Sequence, residues 1–209
     1  MLTYLYYVLQ NKYLNVRDPA IMNILFRGGS PLSFSEGIRT YPLIIAEDTC
    51  CQHHNIHTIA HRGDTTFELI WDFDEEIAPL RPHILILQFG VDDMFRPVYR
   101  SEFKENMVQA VRRARLQFAP TIILCTTHLF KTRYENDAAE IYNRTTREVA
   151  TDLDCLYIPL HLVWMNHIHE KGVDVQDLLE TDSRFPSQSG HNLTADAVMK
   201  KITAAAIIS

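Results

Sequence analysis

The sequence has no excess of basic charge: 20 Lys and Arg stand against 26 Asp and Glu, a formal net charge of -6. Such a balance builds no field that would favour nucleic acid or an anionic membrane surface. The densest basic runs, residues 111–115 and Lys200–Lys201, fall in helical patterns and read as solvated faces. Long apolar runs are missing too. Residues 1–14 are apolar and aromatic but too short for a spanning helix, and they carry no basic leader, which argues against a membrane span and a secretory signal. They read as part of an N-terminal helical arm, residues 1–20, that packs on the domain or on a partner chain, a second copy included. A single domain at 21–209 and a cytoplasmic location are the matching expectations. The four cysteines, Cys50, Cys51, Cys125 and Cys155, lack metal-site spacing, so buried free thiols in a reducing compartment are expected and a disulfide scaffold is not. His57 and His61 are four apart, yet no carboxylate follows at ligand spacing, and neither a metal nor another cofactor is called for. Internal repeats and low-complexity tracts are absent.

What is present is an alternation of short apolar runs with helical patterns. The clearest run is His83 to Phe89, where Ile84, Leu85, Ile86 and Leu87 follow one another. A run so short and so continuously apolar is the pattern of a central parallel strand buried on both faces. It ends in Gly90-Val91-Asp92-Asp93, at the carboxyl edge of the sheet, where open α/β proteins keep their ligand crevice. Further strands are expected at 21–26, 54–60, 121–127 and 153–159. Helices are expected at 38–49, 66–77 with Asp64 or Thr65 as N-cap, from Ser101 as N-cap to Pro120, at 136–152, 162–170, 175–179 and 191–208. Five strands alternating with helices give an α/β protein: a three-layer α/β/α sandwich on a five-stranded parallel sheet.

Four loops then carry a resemblance. Gly-X-Ser follows strand one at 28–30, Gly-Asp-Thr-Thr follows strand two at 63–66, Gly-X-X-Asp follows strand three at 90–93, and 182-DSRFPSQSGH-191 precedes the last helix. In this order and at these intervals the blocks resemble those of the SGNH, or GDSL-type, hydrolase superfamily, from about Asn23 to Ile202. The resemblance implies a flavodoxin-like three-layer fold and a carboxylic-ester hydrolase: an esterase, lipase or other acylhydrolase acting on a small-molecule ester. It puts the nucleophile on Ser30, with Gly29 in place of the family's aspartate in Gly-Asp-Ser. One oxyanion N–H falls on Gly63. Asp92 stands where the family has an oxyanion-binding asparagine, Asp182 is the triad aspartate, and Phe185 stands where the base histidine belongs.

These departures matter chemically. A serine attacks an ester only if a group within about 3 Å takes its proton, and phenylalanine offers no acceptor. An ionised carboxylate at position 92 repels an oxyanion where asparagine would donate to it. The candidates for a substitute base are His191, which a different register of the last block would make the family histidine, His61 just before Gly63, and His128 at the end of strand four. Without a histidine to orient, Asp182 has Ser183, Arg184 or water to answer its charge, and Arg96 and Arg100 could pair with it or with Asp92. Asp93 is expected to cap a turn. Three functions follow: an acylhydrolase with an altered site, an inactive relative serving as a binding or scaffolding module, or a hydrolase in which Asp92, Asp182 and a histidine hold a divalent metal over Ser30.

Overall fold

The computed structural model describes residues 21–205; the N-terminal arm expected over 1–20 lies outside the described residues. Five parallel strands, β1 (Asn23–Gly28), β2 (Asn55–Ala60), β3 (Ile84–Gln88), β4 (Thr121–Cys125) and β5 (Leu156–Ile158), pair in the order β2-β1-β3-β4-β5. Parallel neighbours need crossover connections, and these are supplied by α1 (Tyr41–Ala46), α2 (Thr66–Trp71), α3 (Val91–Phe95), α4 (Arg100–Gln117) and α5 (Arg133–Asp152), while α6 (Leu160–Lys171) and α7 (Gln188–Ala204) follow the last strand. This is the expected three-layer α/β/α architecture on a five-stranded parallel sheet.

Alternation along each strand sends successive side chains to opposite faces. On one face Leu25, Leu85, Leu87 and Leu124 pack with Leu69 of α2, Phe103, Met107 and Val111 of α4, and Val149 of α5. On the other, Ile24, Phe26, Ile84, Ile86 and Ile123 meet Tyr41 and Ile45 of α1 and Ala195, Val198 and Ile202 of α7. Every residue of β3 is buried, as its unbroken apolar run requires. Because β1 lies between β2 and β3, the chain changes winding direction between β1 and β3, and the loops leaving these two strands part to form a crevice there.

Several boundaries differ from expectation for local reasons. The helix expected at 38–49 is confined to Tyr41–Ala46, because Thr40 is extended and Pro42 enters in the first turn. Helix α2 does start behind Thr65, whose hydroxyl accepts from the Phe67 N–H while Glu68 accepts from the Thr65 N–H, but it gives way to a π-turn at Phe73–Ile77. The N-cap of α4 is Tyr99, not Ser101. Helix α5 starts earlier than expected, on a reciprocal cap between Thr132 and Glu135. Strand β5 has three residues because Asp154 takes a left-handed φ of 45° before it and Pro159, without an N–H, follows it. Helix α7 begins at Gln188, since the Ser187 hydroxyl accepts from the Gly190 N–H.

At the end of β1 a charged side chain enters the core. Arg27, the penultimate residue of β1, is wholly buried; its guanidinium contacts Asp64 at 2.7 Å and Glu76 at 3.2 Å and donates to the Gly28 carbonyl. Replacing it with Met would strand two carboxylates. Breaking a buried pair costs about 3–5 kcal/mol; the Asp64 and Glu76 side chains keep 12% and 25% exposure, so a loss of about 2–4 kcal/mol is expected for Arg27→Met. Urea unfolding followed by circular dichroism measures it, and an unchanged midpoint would show that the pair contributes no net stability.

Candidate active site

Ser30 stands at the mouth of the β1–β3 crevice because β1 runs out at Gly28 and the chain turns at once into a 3-10 turn, Ser30–Leu32, with Pro31 inside it. Asp92 arrives from the other wall, in the first turn of α3, two residues after Gly90. The two meet closely. Ser30 Oγ donates to Asp92 Oδ1 at 2.6 Å, and the Ser30 N–H donates to Asp92 Oδ2 at 2.6 Å. The Gly63 N–H, from the loop after β2, donates to Ser30 Oγ at 3.2 Å. Gly63 has φ 86°, a left-handed value suited to glycine, and Arg96 holds that peptide by donating to the Gly63 carbonyl at 2.6 Å.

Ser30 has no exposed surface and Asp92 only 2%. Burial raises the Asp92 carboxyl above the ordinary aspartate range; the two Ser30 hydrogen bonds and the positive charge of Arg184 pull the other way without cancelling it. Glycine at 29 is what admits this carboxylate. A Cβ on Gly29 would collide with Asp92 Oδ2 and lie 2.5 Å from the Asp64 carbonyl oxygen. Residues 29 and 92 therefore share one tightly filled space.

Asp93 is a structural group. It accepts from the Gly90 N–H at 2.9 Å and from the Thr66 N–H and hydroxyl at 2.9 and 2.8 Å, and burial pushes its carboxyl up to about 6. Asp182 is exposed and does not bond to Ser30 or Asp92. Arg184, two residues on, closes over it with contacts of 2.6 and 3.1 Å and lowers its pKa. Phe185 is buried, with Arg62 over its ring at 4.6 Å and Arg184 at 5.6 Å. Arg184 is thus the expected partner of Asp182, whereas Arg96 and Arg100, also expected to pair with Asp182 or Asp92, are taken elsewhere: Arg96 bonds Gly63 and Glu68, and Arg100 pairs with Glu148.

None of the three candidate histidines bonds to Ser30. His191 Nδ1 accepts the Tyr41 N–H at 3.2 Å on the α1–α7 side. His128 Nε2 donates to the Ser183 carbonyl at 2.8 Å, its ring packed between Phe130 and Trp164. His61 donates to Glu76 at 3.1 Å in solvent. The metal reading also fails: among the described residues no cluster of three or more His, Cys, Asp or Glu side chains could hold an ion, since Asp92 is turned onto Ser30 and Asp182 onto Arg184.

Known proteins share this fold. The sequence pattern of the GDSL-like lipase/acylhydrolase family matches residues 27–193, and the chain belongs to that family. Its fold is similar to that of Axe2, an acetylxylan esterase from Geobacillus stearothermophilus, with 17% identity, a TM-score of 0.73 and coverage of 87% of this chain and 94% of the other. It is also similar to that of LAE5, an α/β hydrolase enzyme from the metagenome of Lake Arreo in Spain, with 16% identity, a TM-score of 0.75 and coverage of 86% and 94%. No curated protein matches the chain at a significant level. No helix among the described residues is long and apolar enough to cross a membrane.

Two outcomes follow from this geometry. Gly29→Ala is expected to destabilise the fold by about 1–3 kcal/mol, the usual range for overpacking a filled site, as measured by urea unfolding; a neutral effect would mean that the Asp92 carboxylate is free to withdraw. The second concerns pH. Burial lowers His191 from its ordinary 6.5 to about 4, so its contribution to stability is complete above about 6.5 and is lost as pH falls toward about 4. Asp93, raised to about 6, has the opposite sign but is common to wild type and variant. Wild type should therefore lose stability relative to His191→Gln as pH drops from about 6.5 to about 4. A constant difference between the two proteins would show that the ring protonates freely in the fold.

Proposed function

We propose that this chain is a serine carboxylic-ester hydrolase of the GDSL type, acting on small acyl esters with an altered catalytic apparatus. The observation that carries this reading is the position of Ser30 Oγ between a proton acceptor, the Asp92 carboxylate at 2.6 Å, and an N–H donor, Gly63 at 3.2 Å. A hydroxyl so placed has somewhere to send its proton and a donor beside the carbon it would attack. Likeness to an acetylxylan esterase supports a short acyl group such as acetyl. The four cysteines are free thiols, which fits a reducing compartment such as the cytoplasm.

A specific observation favours a second reading, a non-hydrolytic binding protein on the same fold. Ser30 is closed to solvent, and none of the three candidate histidines bonds to it. An ester reaches Ser30 only when its neighbours shift. Incubation with a fluorophosphonate, read by intact mass, separates the two. The hydrolase reading expects one adduct on wild type and none on Ser30→Ala, and slow turnover of p-nitrophenyl acetate, well below the median of about 10 per second for enzymes in general. Absence of any adduct or turnover would establish the binding protein instead, and turnover that survives Ser30→Ala would remove Ser30 as nucleophile.

A further inference from the structure

We propose that Asp92 alone fills two roles at this site, taking the proton of Ser30 as general base and then, as a neutral acid, donating that proton toward the oxyanion. The inference rests on the hydrolase reading above and goes beyond it by naming the base.

Three observations lead to it. Among the described residues, Asp92 Oδ1 is the acceptor of the Ser30 hydroxyl, and the three histidines that could have competed are committed elsewhere, to the Tyr41 N–H, the Ser183 carbonyl and Glu76. The carboxylate is also held in a productive orientation, because the Ser30 N–H holds Oδ2 and leaves Oδ1 aimed at Oγ. And the chain makes room for it, because any side chain at 29 would occupy the place of Oδ2.

The charge problem also resolves itself in this arrangement. Before reaction a carboxylate beside the oxyanion position is unfavourable. As Ser30 Oγ bonds to the ester carbonyl carbon, its proton passes to Asp92 Oδ1 and the carbonyl π pair becomes the oxyanion. The negative charge has then left position 92 for the substrate oxygen. Neutral Asp92 presents an O–H, and the Gly63 N–H, formerly on Oγ, is available as a second donor. Collapse of the intermediate breaks the bond to the alkoxy oxygen, which takes the proton from Asp92 and leaves as alcohol. Water then attacks the acyl carbon, giving its proton to Asp92; the second collapse releases the carboxylic acid, and Ser30 Oγ recovers its proton from Asp92. The sum is ester plus water to acid plus alcohol, with Asp92 and Ser30 restored. Burial, which raises the carboxyl, makes it a stronger base than a solvated aspartate.

The test is Asp92→Asn, because the two accounts of position 92 give opposite signs. If Asp92 is the base, asparagine removes a contribution of about 100- to 10,000-fold and turnover falls by that factor. If Asp92 is only a poor oxyanion donor, asparagine restores the donor and turnover rises, by up to about 100- to 1,000-fold. Thermal melting of both proteins checks that the variant folds. Should it not, the wild-type pH profile decides alone: kcat/KM is expected to rise through one ionisation in the carboxylate range, above the ordinary aspartate value near 3.9; a limb near 6.5 instead would point to a histidine and overturn the proposal. Wild type that carries the Ser30 adduct, together with an Asp92→Asn variant as fast or faster, defeats the role of Asp92 and leaves the hydrolase reading standing. No adduct and no turnover in wild type defeats both.

Discussion

One buried carboxylate sets the character of this crevice. Asp92 lies almost out of water, and the groups that compensate its charge most directly are the hydroxyl and N–H of Ser30, both at 2.6 Å, with Arg184 acting from farther away. Leaving a buried acceptor unpaired is expensive, so the nucleophile position and the carboxylate hold each other in place. Gly29 supplies the space, and Gly63, anchored through its carbonyl by Arg96, closes the arrangement from the third loop. Ser30, Gly29, Gly63 and Asp92 are thus held in one tightly filled space.

The rest of the fold brings these groups together and keeps them from moving apart. Winding reverses between β1 and β3, so the loops carrying Ser30 and Asp92 face each other across one strand spacing. Asp93 ties the Asp92 turn to the start of α2 through Thr66, and Tyr142 of α5 donates to the Asp93 carbonyl at 2.9 Å. Beneath Ser30, Arg27 joins β1 to the Gly63 loop through Asp64. The loop before α7 is fastened on the opposite side: Lys131 donates to the Glu180 carbonyl at 2.6 Å, His128 to that of Ser183, and Glu135 accepts from the Ser183 hydroxyl. Arg62 and Arg184 both lie over the Phe185 ring of that loop.

Much of this could be read from the chain alone. Unbroken apolar runs disclosed β3 and β4, and the order of the four loop motifs disclosed the fold and the meeting of Ser30, Gly63 and Asp92. What escaped was tertiary in origin. Residues 29 and 92 compete for one space only once β1 and β3 are paired, so Gly29 looked like a loss and not an accommodation. Histidines at 61, 128 and 191 had the right chemistry, and the first two stood at the ligand edge of the sheet, but nothing local shows that a Tyr41 N–H, a Ser183 carbonyl or Glu76 will claim their rings. Arg184 was legible as a partner of Asp182, two residues away; its stacking on Phe185, shared with Arg62, was not. Helix ends moved where caps at Thr132 and Ser187 outweighed the hydrophobic pattern.

The central claim is that Asp92 changes from acceptor to donor as charge builds on the substrate. A crystal structure of the Ser30 phosphonate adduct tests it most directly, since the phosphonyl oxygen stands in for the oxyanion. The account predicts that oxygen within about 2.5–2.7 Å of an Asp92 carboxyl oxygen, the separation of a charge-assisted O–H···O bond, with the Gly63 N–H also upon it. An Asp92 carboxylate that still holds the Ser30 N–H while the phosphonyl oxygen turns away from both would contradict it.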